Sequence, residues 1–523
     1  MLNKNDASLS DDFSLLQILV CALLLICCGF VLIEVLSYCK MSIFLDRPFH
    51  CRETADVLYA RQLAMGENPF SLQTFPRLIN TYAPIYYYLG AVFVDADTFS
   101  DIAIILRSLA WGASGLTLLY LLFVLKKDSI PFALSLAIAV TVFTFLTTSS
   151  NEMGSKPGNL GYLFMVAGIT LPYIFHFSNR SMFFGVFLIA LAYFTKQYFI
   201  VGFGPLLTYY FLYKSKRKAV CFGVLSVVLV VSGILFFEFF QENSHGIYWA
   251  GNAKVNFNAS VFFPQVYRFV FHYMWPLLLS VLIVGMVVAR QRGLRVRSVK
   301  ALVTWARDLK PNYCTFVSFF LLVFFLGVIG WHSGNKDIYI AHTFLFFFLW
   351  SSINFLLRHM NRGSKKFNIF LGTLPYISLT LILLFAYGNS LKPKVMSCSM
   401  DRSEEWHEVS GLIAKHDKIY THRLLNNILM TQGKTVYDAG QGQYYFKILT
   451  PFNEKAFRAA QENYSKVLHE KFAAGYFDLL LVTPRFRRKQ FPDIIKSYDL
   501  IYDKRVHSVM GGYQIQGWVK KTQ

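Results

Sequence analysis

Residues 38–101 read YCKMSIFLDRPFHCRETADVLYARQLAMGENPFSLQTFPRLINTYAPIYYYLGAVFVDADTFSD. This stretch lies between two apolar runs. It is too polar to span a bilayer and too patterned to be a linker. From Glu53 it carries a helical pattern through Val57, Leu58, Arg61 and Leu63, with a stop at Gly66 and Pro69. A second segment, Tyr82-Ala83-Pro84-Ile85-Tyr86-Tyr87-Tyr88-Leu89, predicts a helix lying at a membrane surface. Tyrosine suits that depth because its ring is apolar and its hydroxyl seeks water. An ordered loop bearing acids beside a membrane is a candidate seat for chemistry.

The rest of the composition agrees with a membrane setting. The 523 residues are 55% hydrophobic and 15% charged, with mean hydropathy +0.41. Soluble domains are about 45–50% apolar and about 25% charged. The net charge of +21 would suggest nucleic acid in a soluble protein. Here much of it falls in short loops between apolar segments, where Lys and Arg fix topology and meet anionic lipid, so no nucleic-acid partner is expected. The eight cysteines include no CxxC pair, which excludes zinc-ribbon and thioredoxin-like readings. Cys39, Cys51 and Cys398 fall on one predicted side, where a disulfide among them is chemically permitted.

Phe13–Ser37 is an apolar span too long for a signal-peptide core, and it reads as a retained anchor. Further apolar segments follow near 103–125, 130–147, 160–177, 182–195, 197–213, 219–238, 272–289, 313–331, 339–357 and 370–387, giving eleven spans. With the N-terminus inside, the inner loops carry eighteen Lys and Arg. The short outer loops carry five: Lys156, Lys196, Lys254, Arg268 and Lys336. The bias predicts an inside N-terminus and an outside C-terminus. Near Asn389 the composition turns polar. Lys418–His422, Thr435–Tyr437 and Asp478–Thr483 read as strands, Ser403–His416, Leu424–Thr431 and Glu454–Ala474 as helices, and Tyr498–Tyr502 and Tyr513–Val519 as closing strands. The fold expected is a polytopic α-helical membrane protein. Its 1–388 transmembrane domain carries the first outer loop (38–101), and 389–523 form a small α/β domain on the outer face.

The spans hold few charges: Glu34, Arg107 and Glu238, each near an outer end. That scarcity argues against an ion-coupled transporter, which needs ionisable groups along its path. Polar groups cluster instead on the outer loops, at Asp46, Glu53, Asp56, Glu67, Glu152, Lys156, Lys196, Glu242, His245, His332 and Lys336.

Several of these loop features resemble GT-C membrane glycosyltransferases. They are the early acid with its spacing from Glu53 to Gly66, the aromatic YAPIYYYL, and Ser155-Lys156-Pro157-Gly158 opening the fourth span. Ala192-Tyr193-Phe194-Thr195-Lys196-Gln197 and the Asn-bearing loop at Asn252–Asn258 complete the set. The bacterial branch of aminoarabinose and galacturonic acid transferases and the protein mannosyltransferases look most similar. The usual acidic pair is here Arg52-Glu53, so Asp56 stays open as the alternative acid.

The resemblance implies an inverting enzyme of a bacterial inner membrane. It would move a sugar from a polyprenyl-phosphate donor to a glycan, lipid or protein acceptor on the outer, periplasmic face. Glu53 would serve as general base, with Asp56 as the alternative. Lys196, Lys156 and Lys336 would meet the donor phosphate. Glu152 is a candidate for acceptor or metal contact, and Tyr82 and Tyr86 for the aromatic loop. The resemblance fixes no cofactor and leaves a divalent metal as a candidate. The rival readings are a lipid-linked glycan ligase or polymerase, whose large outer loop would lie late in the chain, and a lipid-linked sugar flippase, which would carry charge along a central path.

Overall fold

Leu15–Ile43 (α1) is a single helix whose apolar side chains leave no polar face. In the computed structural model the described residues are 15–50, 53–69, 84–94, 99–148, 157–240, 312–329, 338–359, 365–437, 466–484, 497–509 and 511–521, with a few more between 263 and 282 and at 462. The helices of the first loop are Glu53–Ala64 (α2) and Ile85–Phe93 (α3). Then come Phe99–Lys127 (α4), Phe132–Thr148 (α5), Gly158–Ile174 (α6) and Asn179–Thr195 (α7). Phe203–Tyr213 (α8), Lys216–Phe240 (α9), Tyr313–Ile329 (α10), Ile338–His359 (α11) and Lys365–Ala386 (α12) follow.

Four stretches are long and apolar enough to cross a membrane: Leu15–Ile43, Ser100–Lys127, Lys216–Phe237 and Gly372–Ser399. The chain is an integral membrane protein. On α9, Val220, Val224, Val227, Val228, Val231 and Leu235 are all exposed, a surface that suits lipid rather than water. Where helices meet, small residues let backbones approach. A Cβ at Gly168 on α6 would collide with Ile189 and the Gly185 carbonyl on α7, so these two helices pack backbone to backbone. At one end of the bundle Asp128, just past α4, accepts from Tyr173 Oη (3.0 Å), Trp350 Nε1 (2.7 Å) and Asn354 Nδ2 (2.6 Å), tying α4, α6 and α11 together.

The segment expected to span at 197–213 starts differently. Lys196 ends α7 in an extended conformation, and a 3₁₀ turn over Gln197–Gly202 leads into α8. Most of the apolar segment at 272–289 lies outside the described residues, as does Cys51. Cys39 and Cys398 are thiols, with no disulfide among the described residues.

Beyond α12 the chain passes through a π turn at Tyr387–Leu391 into Lys392–Ser399 (α13) and Ser403–Ala414 (α14). Ile419–Thr421 (β1) pairs in parallel with Leu479–Val482 (β2). Tyr498–Ser508 (β3) and Gly511–Lys520 (β4) form an antiparallel hairpin, and the sheet order is β1-β2-β4-β3. The predicted helix at Leu424–Thr431 is a 3₁₀ turn, Arg423–Leu425, followed by the helix Asn426–Thr431 (α15).

Thr435–Tyr437 is not a strand. It follows a left-handed stop at Gly433 and is irregular, and the Tyr437 ring packs on Tyr476 and Phe477. Of the helix expected over Glu454–Ala474, the described part at 466–473 is helical.

Alternate strand residues divide between two cores, as a period of two requires. Tyr420, Leu480 and Trp518 face Leu468 and Phe472. Ile419, Leu479, Leu481 and Ile515 face a core that also contains Val57, Tyr59, Tyr86, Tyr87, Ile102 and Leu106. The C-terminal sheet and the first-loop helices therefore share one hydrophobic core. Both must lie on the same side of the membrane, so an even number of crossings separates them.

Candidate functional site

Helix α2 begins where the sequence pattern places it. Glu53 N–H donates to His50 O (2.9 Å), and the acids Glu53 and Asp56 occupy the first turn, where the helix dipole favours negative charge. Its end is also legible. Gly66 adopts φ +74°, its N–H reaches Leu63 O and the Glu67 N–H reaches Gln62 O, a Schellman stop that only a residue tolerant of the left-handed region accepts without strain.

Glu53 is 1% exposed and pairs with Arg107 of α4, which is fully buried. Arg107 Nε donates to Glu53 Oε1 (2.8 Å) and Nη2 to Oε2 (2.9 Å), a two-point grip. The remaining donors of this guanidinium close on the turn before α2: Nη1 on Leu45 O (2.5 Å) and Ile43 O (3.4 Å), Nη2 on Arg47 O (2.9 Å). The Phe49 N–H adds a third donor to Glu53, at 2.6 Å from Oε2, and the Phe49 ring lies 5.3 Å from the guanidinium carbon. Sequence reading noted Arg107 as one of three span charges. It could not supply the partner, 54 positions away in the chain.

One helical turn on, Asp56 is fully buried and its Oδ1 accepts from Tyr87 Oη at 2.6 Å. Tyr87 lies on α3, where Gly90 allows close approach to Leu106; a Cβ there would collide with that side chain. The predicted surface helix thus turns Tyr86, Tyr87 and Gly90 inward and exposes Tyr88, Leu89, Val92 and Phe93. Tyr86 donates to Leu106 O at 2.6 Å and belongs to the packing of this site.

Helix α3 also packs against α7, whose C-cap is Lys196. Lys196 is 4% exposed, and its Nζ lies 5.0 Å from the centre of the Tyr198 ring. Phe199 fills the space over Gly161 on α6, and Asn159 on the same helix donates to Ser114 Oγ of α4 (2.8 Å). Glu53, Asp56, Tyr87, Arg107 and Lys196 therefore stand at one end of the bundle, the end that the C-terminal sheet covers. Sequence reading placed Tyr87 in the aromatic segment but not on Asp56, and it singled out neither Asn159 nor His342; the His342 ring stacks on Phe145 at 6.1 Å, and its carbonyl accepts from Tyr162. Lys156, Lys336, Glu152 and Tyr82 lie outside the described residues. Among the described residues no three His, Cys, Asp or Glu side chains gather as a metal site.

The C-terminal domain brings His422 to the carboxyl end of β1. Its ring accepts from Leu424 N–H (3.4 Å) and lies 5.0 Å from the Tyr513 ring. Desolvation, and then the charge of Arg423, push its pKa down to about 3. The unfolded chain binds a proton below about pH 6.5 and the folded chain does not. This residue's contribution to stability is therefore complete above pH 6.5 and is lost as pH falls below it. The ring is only half-buried, so we expect a loss of at most about 1 kcal/mol per pH unit between pH 6.5 and 4.5. Unfolding midpoints at pH 7.5, 6.0 and 5.0 check this: wild type declines, and His422→Gln declines less.

No family model and no curated protein matches the sequence. Two similar solved structures are of ArnT from Cupriavidus metallidurans. The apo state has a TM-score of 0.48 and 10% identity over 94% of this chain and 97% of that one. The form bound to undecaprenyl phosphate has a TM-score of 0.47 and 10% identity over 93% and 98%.

Proposed function

We propose that the chain is a membrane glycosyltransferase that takes a sugar from a polyprenyl-phosphate donor and passes it, with inversion, to an acceptor hydroxyl on the outer face of a bacterial inner membrane. The observation that carries this reading is a pair of buried acids opening α2 in the first outer loop. Tyr87 and Arg107 hold them, at the same end of the bundle as a buried lysine. Three of the loop motifs that resemble GT-C transferases, at Glu53–Gly66, Tyr82–Leu89 and Ala192–Gln197, include Glu53 and Asp56, Tyr87 and Lys196. The division of labour is a 1–388 membrane unit of eleven spans bearing the site and a 389–523 domain roofing it.

Of the two acids, Asp56 is the better base. Both oxygens of Glu53 are engaged by three donors, and protonating it would strand the Arg107 guanidinium in a buried place. Tyr87 fixes the plane of the Asp56 carboxylate. As the acceptor oxygen attacks the anomeric carbon, Asp56 takes its proton. The bond from that carbon to the phosphate oxygen breaks, and its electron pair leaves with the polyprenyl phosphate. Lys196 steadies the charge that grows on the leaving phosphate. Attack opposite the leaving group inverts the anomeric carbon. Lys156 and Lys336 are further candidates for the phosphate, Glu152 for the acceptor or a divalent metal, and Tyr82 for the sugar.

Purified protein in nanodiscs, offered a panel of radiolabelled polyprenyl-phosphate sugars with envelope glycans, lipids and proteins, tests the reading. Label should move from at least one donor to one acceptor class; a protein that moves none of them refutes it. In the same assay Lys196→Ala should lower kcat about 10–100-fold, because its contact strengthens as the leaving group gains charge. Unchanged kcat and donor KM would make Lys196 an interfacial anchor.

A further inference from the structure

The turn that Arg107 grips is also held from the other side. Arg47, whose carbonyl accepts from Arg107, is 6% exposed. Its own Nη2 donates to Met400 O (2.7 Å) and Ser397 O (3.4 Å). These carbonyls belong to the last turn of α13 and the residue after it, where a helix leaves carbonyls without intrahelical donors and favours a cation. The Ser397 hydroxyl then donates to Val509 O (2.6 Å), in the turn between β3 and β4. Ser508 Oγ closes that turn on Gly511 O (3.0 Å). Polar contacts thus run without a gap from Glu53 through Arg107, Arg47 and the end of α13 to the hairpin of the C-terminal sheet.

We infer that Arg47 is a positioning residue: it couples the seating of the C-terminal hairpin at Val509 to the placement of the first turn of α2, and so to Asp56. The catalytic part of this inference rests on the function proposed above; the mechanical part does not. The arrangement makes chemical sense for a transferase whose roof must be in place before reaction. An acid set correctly only when the C-terminal domain is docked is not left able to activate water.

Hydrogen exchange on the full chain in nanodiscs, followed in the peptide over Glu53–Ala64, tests the coupling without turnover. Ser397→Ala removes a single hydroxyl from a half-buried side chain, so it folds where a change at Arg47 risks not doing so. It should speed exchange in α2 about 5-fold, the worth of one hydrogen bond, whereas Ser397→Thr, which keeps the hydroxyl, should exchange as wild type. Where Arg47→Ala folds, its effect and that of Ser397→Ala should fail to add in the double variant, because the contacts lie in series. Unchanged α2 exchange in Ser397→Ala, or full additivity, overturns the coupling. In the transfer assay Ser397→Ala should lower kcat about 3–10-fold at constant donor KM. Loosened α2 with unaltered kcat overturns the positioning role. Loosened α2 in a chain whose wild type transfers nothing leaves the coupling standing and removes the transferase reading.

Discussion

Asp56→Asn lowers sugar transfer by about 10²–10⁴-fold, the usual cost of losing a general base, and leaves folding close to wild type. Asparagine has the shape of aspartate, and its carbonyl can accept the Tyr87 hydroxyl that now meets Asp56 Oδ1 at 2.6 Å. What it cannot do is take a proton at neutral pH. Donor affinity should be unchanged, since the step lost belongs to the transition state and not to binding. The thermal midpoint and donor-binding isotherm of the variant, set beside its kcat, separate a missing base from a damaged fold.

Glu53→Gln and Arg107→Gln act on stability first. Each leaves one charged partner of a buried ion pair uncompensated, which typically costs about 3–5 kcal/mol. The side chains concerned are 1% and 0% exposed, so surface screening gives no relief. The double variant Glu53→Gln/Arg107→Gln removes both charges and keeps an amide contact, and it should recover part of the lost stability. It stays below wild type because the carbonyls of Ile43, Leu45 and Arg47 lose donors that one amide cannot replace. Thermal unfolding followed by intrinsic fluorescence reads these differences. A double variant with measurable transfer fits Glu53 as anchor. A Glu53→Gln protein as stable as wild type and inactive would make Glu53 the base.

The apolar helices were legible because length and hydropathy alone specify them. The stretch around α2 was legible at both ends, with Glu53 and Asp56 in its first turn and Gly66 at its left-handed stop. Strands β1 and β2 followed from short β-branched and aliphatic runs. What sequence could not give were pairings between distant positions. The Arg107 partner, the hydroxyl of Tyr87 on Asp56 and the core that Ile419 and Leu479 share with Tyr59 and Leu106 are all tertiary facts. Periodicity reports which face of an element is apolar and not what covers it. The same gap applies to Thr435–Tyr437: β-forming residues follow a helix stop there, and sequence could not disclose that the Tyr437 ring packs on Phe477. For the surface helix, a run of tyrosines could not disclose that Tyr86 and Tyr87 face the protein while Tyr88 does not.

The most direct test of the central claim is release of polyprenyl phosphate in a single turnover, with labelled donor bound to the protein in nanodiscs and acceptor added. Wild type should release it and hand the sugar to the acceptor, and Asp56→Asn, binding donor equally well, should release it at least about 100-fold more slowly. Equal rates in the two proteins would contradict the assignment of Asp56 as the base.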